Sequence, residues 1–448
     1  MLRSCLALTF LLIASGPATP ATEAPATVAP LLYTVAKVYE PLAWLHGAER
    51  FPSGAQVQVS SDNGRRPLVP DFAASADPSV SFDGQKVVFA GKAHAGDPWQ
   101  IWELDLAGGA PRAITSFRED CVRPFYLPDD RVVYARKIAE RYVIETKELA
   151  SNKTLALSYI SSNSLPTDVL RDGRILFESA YPLGSDGTPE IYTVYSDGSG
   201  VESYRCDHGN VRHSARQETS GDTVFATQHG LAKFTSARAQ QINIAAPAGE
   251  YAGDIAETPT GEWLVSWRAD AKAPFRLMRW VPGASLLNPV VAEQDANVLQ
   301  TVLLAAHAMP NRHPSGLHDW PNANLLCLNA YTSKYQFAAG SIHSVRLYMR
   351  DDSGHPKLLG AAPVERDGSF FVQVPSEQPV QFELVDAAGK TLKRETGYFW
   401  TRRGEQRVCV GCHAGPETAP ENAVPRMLLK STTPADLTGT SAQGAGGH

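Results

Sequence analysis

Short apolar strands separated by tight turns dominate the middle of the chain. A turn signal followed by an apolar stretch occurs five times, and the copies read FDGQKVVFAG, PDDRVVYARK, RDGRILFESA, SGDTVFATQH and TGEWLVSWRA. Most copies are followed by a second stretch in which apolar and polar residues alternate, which is the pattern of a half-buried strand. Gly and Asp in the turns tolerate the positive φ angles that tight hairpins require. The pattern therefore predicts a series of antiparallel hairpins.

The spacing of these turns is nearly constant. The steps are 46, 43, 48 and 40 residues, measured between five turn residues: Gly84, Asp130, Gly173, Gly221 and Gly261. A period in the forties made of strands and turns is typical of β-propeller blades. We predict six or seven blades, the last made from residues 33–75 joined to residues 295–335. The alternative is an all-β sandwich with coincidental spacing.

The pattern changes after about residue 340, where shorter strands are interrupted by Asp367-Gly368, Pro375 and Gly389. These breaks predict a compact β-sandwich-like module. The fold class is therefore all-β, and four parts are expected. They are a signal peptide (1–24), a β-propeller (33–335), a β-module (336–430) and a disordered tail of small polar residues (431–448).

The N-terminus has the layout of a secretory signal. Arg3 precedes an apolar run from Leu6 to Ala14, and small residues offer cleavage after Ala21 or Ala24. The run is too short to span a bilayer. We expect a periplasmic or secreted protein with no transmembrane segment in the mature chain, and an uncleaved anchor is the alternative.

Composition narrows the range of partners. The chain has 448 residues, of which 43% are hydrophobic and 20% charged, with a net charge of -6 and no basic block. This balance argues against nucleic acid as a partner. Outside the signal and the motif described next, the cysteines are Cys121, Cys206 and Cys327. They allow one disulfide at most, so the chain is not a disulfide scaffold.

One short motif near the C-terminus carries chemistry. Cys409-Val410-Gly411-Cys412-His413 is C-x-x-C-H, the attachment site of a c-type haem. Two thiols at this spacing add to the two vinyl groups of one porphyrin, and the next histidine is placed to bind the iron. The alternatives are a C-x-x-C disulfide or half a zinc site, but no second ligand pair of the usual spacing exists. We predict one covalent haem c on Cys409 and Cys412, with His413 as the iron ligand.

The first complete repeat, Asp77 to Ser116, resembles TolB-like propeller repeats. Three further stretches, 313–333, 362–392 and 397–425, resemble the hydrazine synthase alpha-subunit-like proteins, which combine a propeller, a β-domain and c-type haem. The resemblance extends over about residues 75–430.

This resemblance implies the same architecture and a haem on Cys409 and Cys412, with His413 as the proximal histidine. It also implies that Cys327 is a candidate metal ligand near the haem. An additional metal ion, besides the haem iron, is therefore one alternative.

The sixth ligand of the haem decides between two functions. A second strong ligand favours an electron carrier, whereas an open position allows chemistry. Besides Cys327, the densest group of candidates is His307, Met309, His313 and His318, and His313 and Cys327 are the foremost of these. The alternatives are a loop-shaping histidine at His313 and a core thiol at Cys327.

Other residues have two interpretations each. Arg402, Arg403 and Arg407 suit haem propionates or a solvated turn, and Phe399 and Trp400 suit the porphyrin face or, preferably, the core. Cys121 and Cys206 could pair with each other or bind a metal, but they are best explained as buried thiols. A small polar group that lines the propeller mouth or caps turns is formed by Asp207, His208 and His213.

Three functions follow. We favour an exported haem protein in periplasmic electron transfer, with the propeller as docking or support domain and a redox partner protein. The alternatives are a haem-based redox enzyme acting on a small nitrogen or oxygen species, and an interaction scaffold with a structural haem. Hydrolase and nucleotide-binding motifs do not occur, and the pattern does not indicate an oligomeric state.

Overall fold

The computed structural model describes residues 30–61, 64–205, 207–351, 353–412 and 422–439. The predicted signal peptide, Cys206, His413 and most of the tail lie outside these residues. Within them the chain is all-β, as predicted, with eight sheets, one short α-helix at Arg426–Lys430 and one 3-10 turn at Ala43–His46.

Six of the sheets are the blades of a propeller, and each runs from an inner to an outer strand. Blade 1 consists of Ala74–Val80, Lys86–Lys92, Gln100–Asp105 and Arg112–Ala113. Blade 2 consists of Cys121–Leu127, Arg131–Ile138, Arg141–Glu148 and Thr154–Ala156. Blade 3 consists of Ser164–Val169, Ile175–Tyr181, Thr188–Val194 and Glu202–Ser203. Blade 4 consists of His213–Gln217, Thr223–Thr227, Gly230–Phe234 and Ile242–Asn243. Blade 5 consists of Glu250–Tyr251, Ala256–Glu257, Trp263–Arg268, Arg276–Trp280 and Asn288–Val291.

Blade 6 closes the ring by joining both ends of the propeller. Its inner strand, Asn297–Leu303, pairs with Leu31–Ala36, which pairs in turn with Gln56–Ser61 and Gly64–Pro67. The described chain therefore forms six blades, and the expected closure between the two ends occurs.

The turn residues behave as their spacing predicts. Gly84, Asp130, Gly173, Gly221 and Gly261 all have positive φ, between 51° and 95°. Each lies between the inner strand and the second strand of its blade. Such backbone angles favour Gly and, less strongly, Asp.

Apolar seams between neighbouring blades form the core. One seam joins Leu32 and Val57 of blade 6 to Val87 of blade 1, and another joins Phe225 of blade 4 to Leu176 of blade 3. Clusters of the same kind fill the other four blade boundaries. The ring is thus held by six similar layers, as expected for radial repeats.

All six inner strands depart from regular pairing halfway along. Asp77, Arg123, Ser214, Asp254 and Gln300 have positive φ of 52–56° at this point. Their strands carry bulges or, in blade 5, an interruption. Non-glycine residues seldom adopt this conformation, so each must be held by its neighbours.

These residues hold one another in place through hydrogen bonds. Arg123 donates two hydrogen bonds to the Asp254 carboxylate, at 2.8 and 3.0 Å, and its backbone N–H donates to Asp77 at 3.0 Å. Asp77 also accepts from Arg50 at 2.6 Å and from the Gln300 amide. All of these side chains are buried.

The remaining blades join through Ser214 and Glu178. The Ser214 N–H donates to Glu178 of blade 3 at 2.8 Å, and its carbonyl accepts from the Asp254 N–H at 3.0 Å. We call this set the axial network: Arg50, Asp77, Arg123, Glu178, Ser214, Asp254 and Gln300. It links all six blades across the propeller axis.

Burial and charge act in opposite directions on Asp254. Burial raises its pKa, the charge of Arg123 lowers it, and the net direction is downward. The stability that comes from this pair is therefore present at neutral pH and is lost as the pH falls through the lowered pKa.

The C-terminal unit is a sandwich of two sheets. The first has the order Gln406–Cys409, Asn322–Cys327, Phe370–Pro375 and Ala435–Asp436; the second has the order Pro356–Pro363, Ser344–Arg350, Val380–Val385 and Thr391–Arg394. Leu325 and Val372 of the first sheet share a core with Val345 and Leu384 of the second. Strand Asn322–Cys327 belongs to this unit, although we expected the propeller to extend to residue 335. We expected a disordered tail from residue 431, but Ala435–Asp436 pairs with Phe370–Pro375 and Leu437 is buried in the core.

Replacing Arg123 by Ala should lower the free energy of unfolding by about 3–5 kcal/mol, because it leaves Asp254 buried without its cation. Urea denaturation of the purified chain at neutral pH measures this effect. Arg65→Ala is the matched control, since Arg65 pairs with the partly exposed Glu293 at 3.3 Å and should cost less than about 1 kcal/mol. Equal losses from the two variants would contradict the role given to the axial network.

Candidate functional site

The first motif cysteine ends a strand whose position is fixed, and the second follows it. Gln406–Cys409 runs parallel to Asn322–Cys327, with Cys327 opposite Cys409. The pairing continues beyond the strand, since the Leu328 and Asn329 N–H groups donate to the carbonyls of Cys409 and Val410 at 2.9 and 3.2 Å. The start of the C-x-x-C segment is therefore part of the sheet rather than a free loop.

Gly411 packs more tightly than a side chain would allow. A Cβ at this position would lie 2.1 Å from the Thr332 carbonyl oxygen and 2.7 Å from that of Asn329. Both are backbone atoms, which move only if the loop moves. The glycine lets the segment between the two cysteines lie against residues 329–332.

Three thiols meet beside this segment. Cys327 is buried, Cys409 and Cys412 are partly exposed, and none of the three is in a disulfide. A hydrogen bond with the Cys412 thiol, together with burial, raises the pKa of Cys327, and burial raises the pKa of Cys409. Both thiols are therefore protonated at neutral pH unless a cation displaces the proton, which does not suit a catalytic thiolate.

Aromatic side chains share an apolar core with the two motif cysteines. Tyr331, Phe337 and Phe399 pack against the same core cluster as Cys409 and Cys412. The Phe399 ring lies 5.4 Å from that of Phe382. The cysteines thus lie at the border of an apolar core that contains several aromatic side chains.

Trp400 and the neighbouring arginines connect the two units. Trp400 is fully buried among apolar residues of blades 2 and 3, and its indole N–H donates to the Gly198 carbonyl at 3.3 Å. Arg402 pairs with Glu377 at 2.6 Å and contacts the Tyr159 hydroxyl, and Arg407 donates to the Val201 carbonyl.

The alternative roles considered for these side chains are therefore resolved in part. Trp400 is core, as we preferred. Arg402 and Arg407 hold the sandwich against the propeller, and Arg403 lies 3.4 Å from Glu377. Arg402 and Arg407 are therefore not part of a solvated turn, whereas the Arg403 side chain is 67% exposed.

The candidate sixth ligands are spread along the segment that joins the two units. His313 stacks on Tyr195 with ring centroids 3.8 Å apart, and its Nδ1 is buried without a hydrogen-bond partner among the described residues. His318 stacks on Trp320 at 4.6 Å. The structure places His313 against blade 3, and only Cys327 of the proposed ligands contacts the motif cysteines within the part of the chain described.

The two other candidates lie by blade 1 or at the surface. His307 lies 5.4 Å from the Phe82 ring, and Met309 is 62% exposed. His413 lies outside the described residues. Across the described ranges, no group of three or more Cys, His, Asp or Glu side chains is arranged to hold a metal ion.

The remaining sequence candidates do not gather into a site. Cys121 is buried in blade 2, and burial raises its pKa to about 12. His213 is buried on the inner strand of blade 4, and burial lowers its pKa to about 4. His208 stacks on Tyr181 at 3.9 Å, and Asp207 lies 3.1 Å from Arg212. Sequence reasoning missed the axial network and the Glu218–Glu257 pair described below.

Comparison with known proteins identifies the second unit. Residues 334–414 match the hydrazine synthase alpha subunit middle domain. Over 77 residues the chain is 34% identical to hydrazine synthase subunit alpha of Kuenenia stuttgartiensis. That alignment covers 17% of this chain and 10% of the relative. The chain therefore matches only a tenth of the curated relative's length.

The fold is similar over a longer range. A structure of Kuenenia stuttgartiensis hydrazine synthase matches 90% of this chain and 72% of its own, with a TM-score of 0.78 and 16% identity. TolB from Acinetobacter baumannii matches 61% of this chain with a TM-score of 0.46 and 14% identity.

Fold and site together define a β-propeller joined to a β-sandwich that carries a C-x-x-C motif. The chain resembles the hydrazine synthase alpha subunit in the sequence of its middle domain, and its fold is similar to that of hydrazine synthase. None of the helices among the described residues has the length and apolar character needed to cross a membrane.

Gly411→Ala should destabilise the sandwich by about 1–3 kcal/mol, because the added methyl group meets backbone atoms of residues 329–332. Thermal unfolding followed by circular dichroism measures this as a lowered Tm. Gly316→Ala is the control, since a Cβ there meets nothing within 4 Å. If both variants melt at the temperature of the parent, the close packing of Gly411 is not required.

Proposed function

We propose that this chain is an exported c-type haem protein in which Cys409 and Cys412 hold one covalent haem and His413 binds the iron. The observation that carries the proposal is the C-x-x-C-H motif, whose two thiols are unpaired and partly exposed. A structural disulfide would instead have paired the two cysteines with each other.

The residues around the motif fit a haem. Two free thiols supply the covalent links, and Tyr331, Phe337 and Phe399 supply aromatic side chains in the adjoining apolar core. A bound haem supplies one-electron oxidation and reduction, with a potential set by its axial ligands and surroundings. The chain's own contribution is to fix the attachment segment, through the pairing of Cys409 with Cys327 and the packing of Gly411.

We propose electron transfer as the role of this haem, in the periplasm or outside the cell, with the propeller as the docking or support domain for a redox partner protein. Two features support this. A single motif is present, and the sandwich is joined to the propeller by the buried Trp400 and by the contact of Arg402 with Tyr159. A fixed geometry suits electron transfer, which requires little movement of the protein around the cofactor.

A redox enzyme acting on a small nitrogen or oxygen species is the second candidate. The middle-domain match to hydrazine synthase subunit alpha supports it. The two candidates differ in whether the iron keeps an exchangeable position. His313 and Cys327 remain the foremost proposed sixth ligands, before His307, Met309 and His318, and the His313 ring stacks on Tyr195.

Protein made with a haem c maturation system should contain one covalent haem, and its reduced visible spectrum should not change with carbon monoxide. Two strong protein ligands would produce this result. A spectrum that shifts with carbon monoxide would place the enzyme role first.

His413→Ala should abolish the parent spectrum while the chain remains folded and exported, and an unchanged spectrum would exclude His413 as the ligand.

Cys327 allows a further proposal, an additional metal ion near the haem with the Cys327 thiol as one of its ligands. The contact of the Cys327 thiol with that of Cys412, next to the attachment segment, supports it. Cys327→Ala should leave the covalent haem in place by mass spectrometry, because the links use only Cys409 and Cys412, but should remove bound zinc measured by elemental analysis. Loss of the covalent haem in this variant would assign Cys327 to haem attachment instead, and an equal zinc content in parent and variant would contradict the metal proposal.

A further inference from the structure

A cavity of about 590 Å³ opens at one mouth of the propeller. Its wall is formed by the ends of the inner strands, including Val80, Phe125 and Ile255. Residues 305–310, which follow the last inner strand, form part of its rim. A volume of this size suits a small organic ligand.

The rim is fixed to the blades. The His307 N–H donates to the Phe82 carbonyl at 3.0 Å, and the Asn311 N–H donates to the Arg171 carbonyl at 2.8 Å. The segment leaving blade 6 therefore crosses the turns of blades 1 and 3 before it reaches the sandwich. The cavity is thus a built feature of the propeller mouth and lies apart from the thiol cluster.

Two carboxyl groups of adjacent blades meet in the cavity wall. Glu218 follows the inner strand of blade 4, and Glu257 ends the inner strand of blade 5. Their side chains are within hydrogen-bonding reach of each other. The Thr219 N–H donates to Glu257 at 2.7 Å, which holds that carboxylate in place.

Glu218 is 6% exposed, and its Oε2 has no hydrogen-bond donor among the described residues. Burial, together with the neighbouring Glu257, raises its pKa, whereas the pKa of Glu257 is lowered. The pair therefore holds one proton at neutral pH, because the buried Glu218 lies next to a second carboxylate that is partly exposed and ionised.

A second polar atom lines the cavity without a partner. The Thr301 hydroxyl belongs to blade 6, is 2% exposed and has no hydrogen-bond partner among the described residues. An unsatisfied buried hydroxyl costs about 1–3 kcal/mol. A ligand or an ordered molecule that reaches Thr301 would remove this cost.

The other charged groups at Glu218 are already engaged. Arg216 lies 3.3 Å from Asp254 and 3.8 Å from Asp168, and Arg171 donates to the Glu218 backbone carbonyl at 3.3 Å. The groups of the site that still lack a partner can thus accept hydrogen bonds. It has too few convergent ligands for a divalent metal, and an anion would meet the carboxyl pair.

We propose that this cavity binds a small protonated amine with an apolar body. The ammonium group lies between Glu218 and Glu257 and takes the place of the shared proton, and the body contacts Phe82, Phe125 and Ile255. Binding breaks no covalent bond, and the displaced proton goes to solvent.

Isothermal calorimetry of the full chain with benzylammonium at neutral pH tests the proposal. Titrations in phosphate and in HEPES, whose ionisation enthalpies differ, report the protons released on binding. We expect binding with release of about one proton per ligand, since the carboxyl pair holds one proton. Benzyl alcohol, the neutral control, should bind at least about tenfold more weakly, because it lacks the charge-assisted hydrogen bonds.

Glu218→Gln and Glu257→Gln should each weaken benzylammonium binding by about tenfold or more and remove most of the proton release. Glu293→Gln is the matched control, since that carboxylate pairs with Arg65 outside the cavity, and it should bind like the parent. Equal binding of the amine and the alcohol, binding without proton release, or no binding of benzylammonium, cyclohexylammonium or butylammonium at millimolar concentration would each overturn the proposal. The readout does not involve the haem.

Discussion

The bidentate pair between Arg123 and Asp254 lies at the centre of the axial network, and the propeller depends on it. The inner strands of the six blades face a common axis, where buried backbone and side-chain polar groups need partners. The bulges turn Asp77, Arg123 and Asp254 towards one another, so that polar groups satisfy polar groups. Backbone strain at these positions is offset by hydrogen bonds that only the closed ring provides.

The second unit uses a different principle. Its first sheet pairs one strand that precedes the second sheet in the chain with one that follows it, so Cys327 and Cys409 become neighbours although 82 positions separate them. Trp400 and Arg402 then anchor this sheet to blades 2 and 3. The motif cysteines are therefore positioned by long-range pairing and by the propeller surface together.

Much of the architecture could be predicted from the sequence, because turn residues at regular spacing mark each repeat. Gly84, Asp130 and Gly173 adopt the positive φ angles that the pattern requires, and the all-β class and the resemblance to hydrazine synthase alpha-like proteins are confirmed. The haem, the export signal and the iron ligand stay predictions, since His413 and the N-terminus lie outside the described residues.

The axial network was missed although the repeat contains a signal for it. The residue seven positions before each turn marker is Asp77, Arg123, Ser214 or Asp254 in four blades. Blade 3 has Pro166 there, whose ring forbids positive φ. A polar residue at a constant offset inside apolar strands marks a shared internal contact. The places of His313 and Arg402 could not be foreseen, because they depend on how the two units pack.

The closure of blade 6 also imposes an order on folding. Leu31–Ala36 pairs with Asn297–Leu303. The first strand can therefore complete its pairing only after the last inner strand of the ring has been synthesised. At ordinary rates of synthesis this delay is roughly 15–55 s. During that time the hairpin Gln56–Ser61 and Gly64–Pro67 can form, but the free edge of Leu31–Ala36 stays open to other chains. The nascent protein is thus exposed to aggregation at one defined edge until its own ring closes.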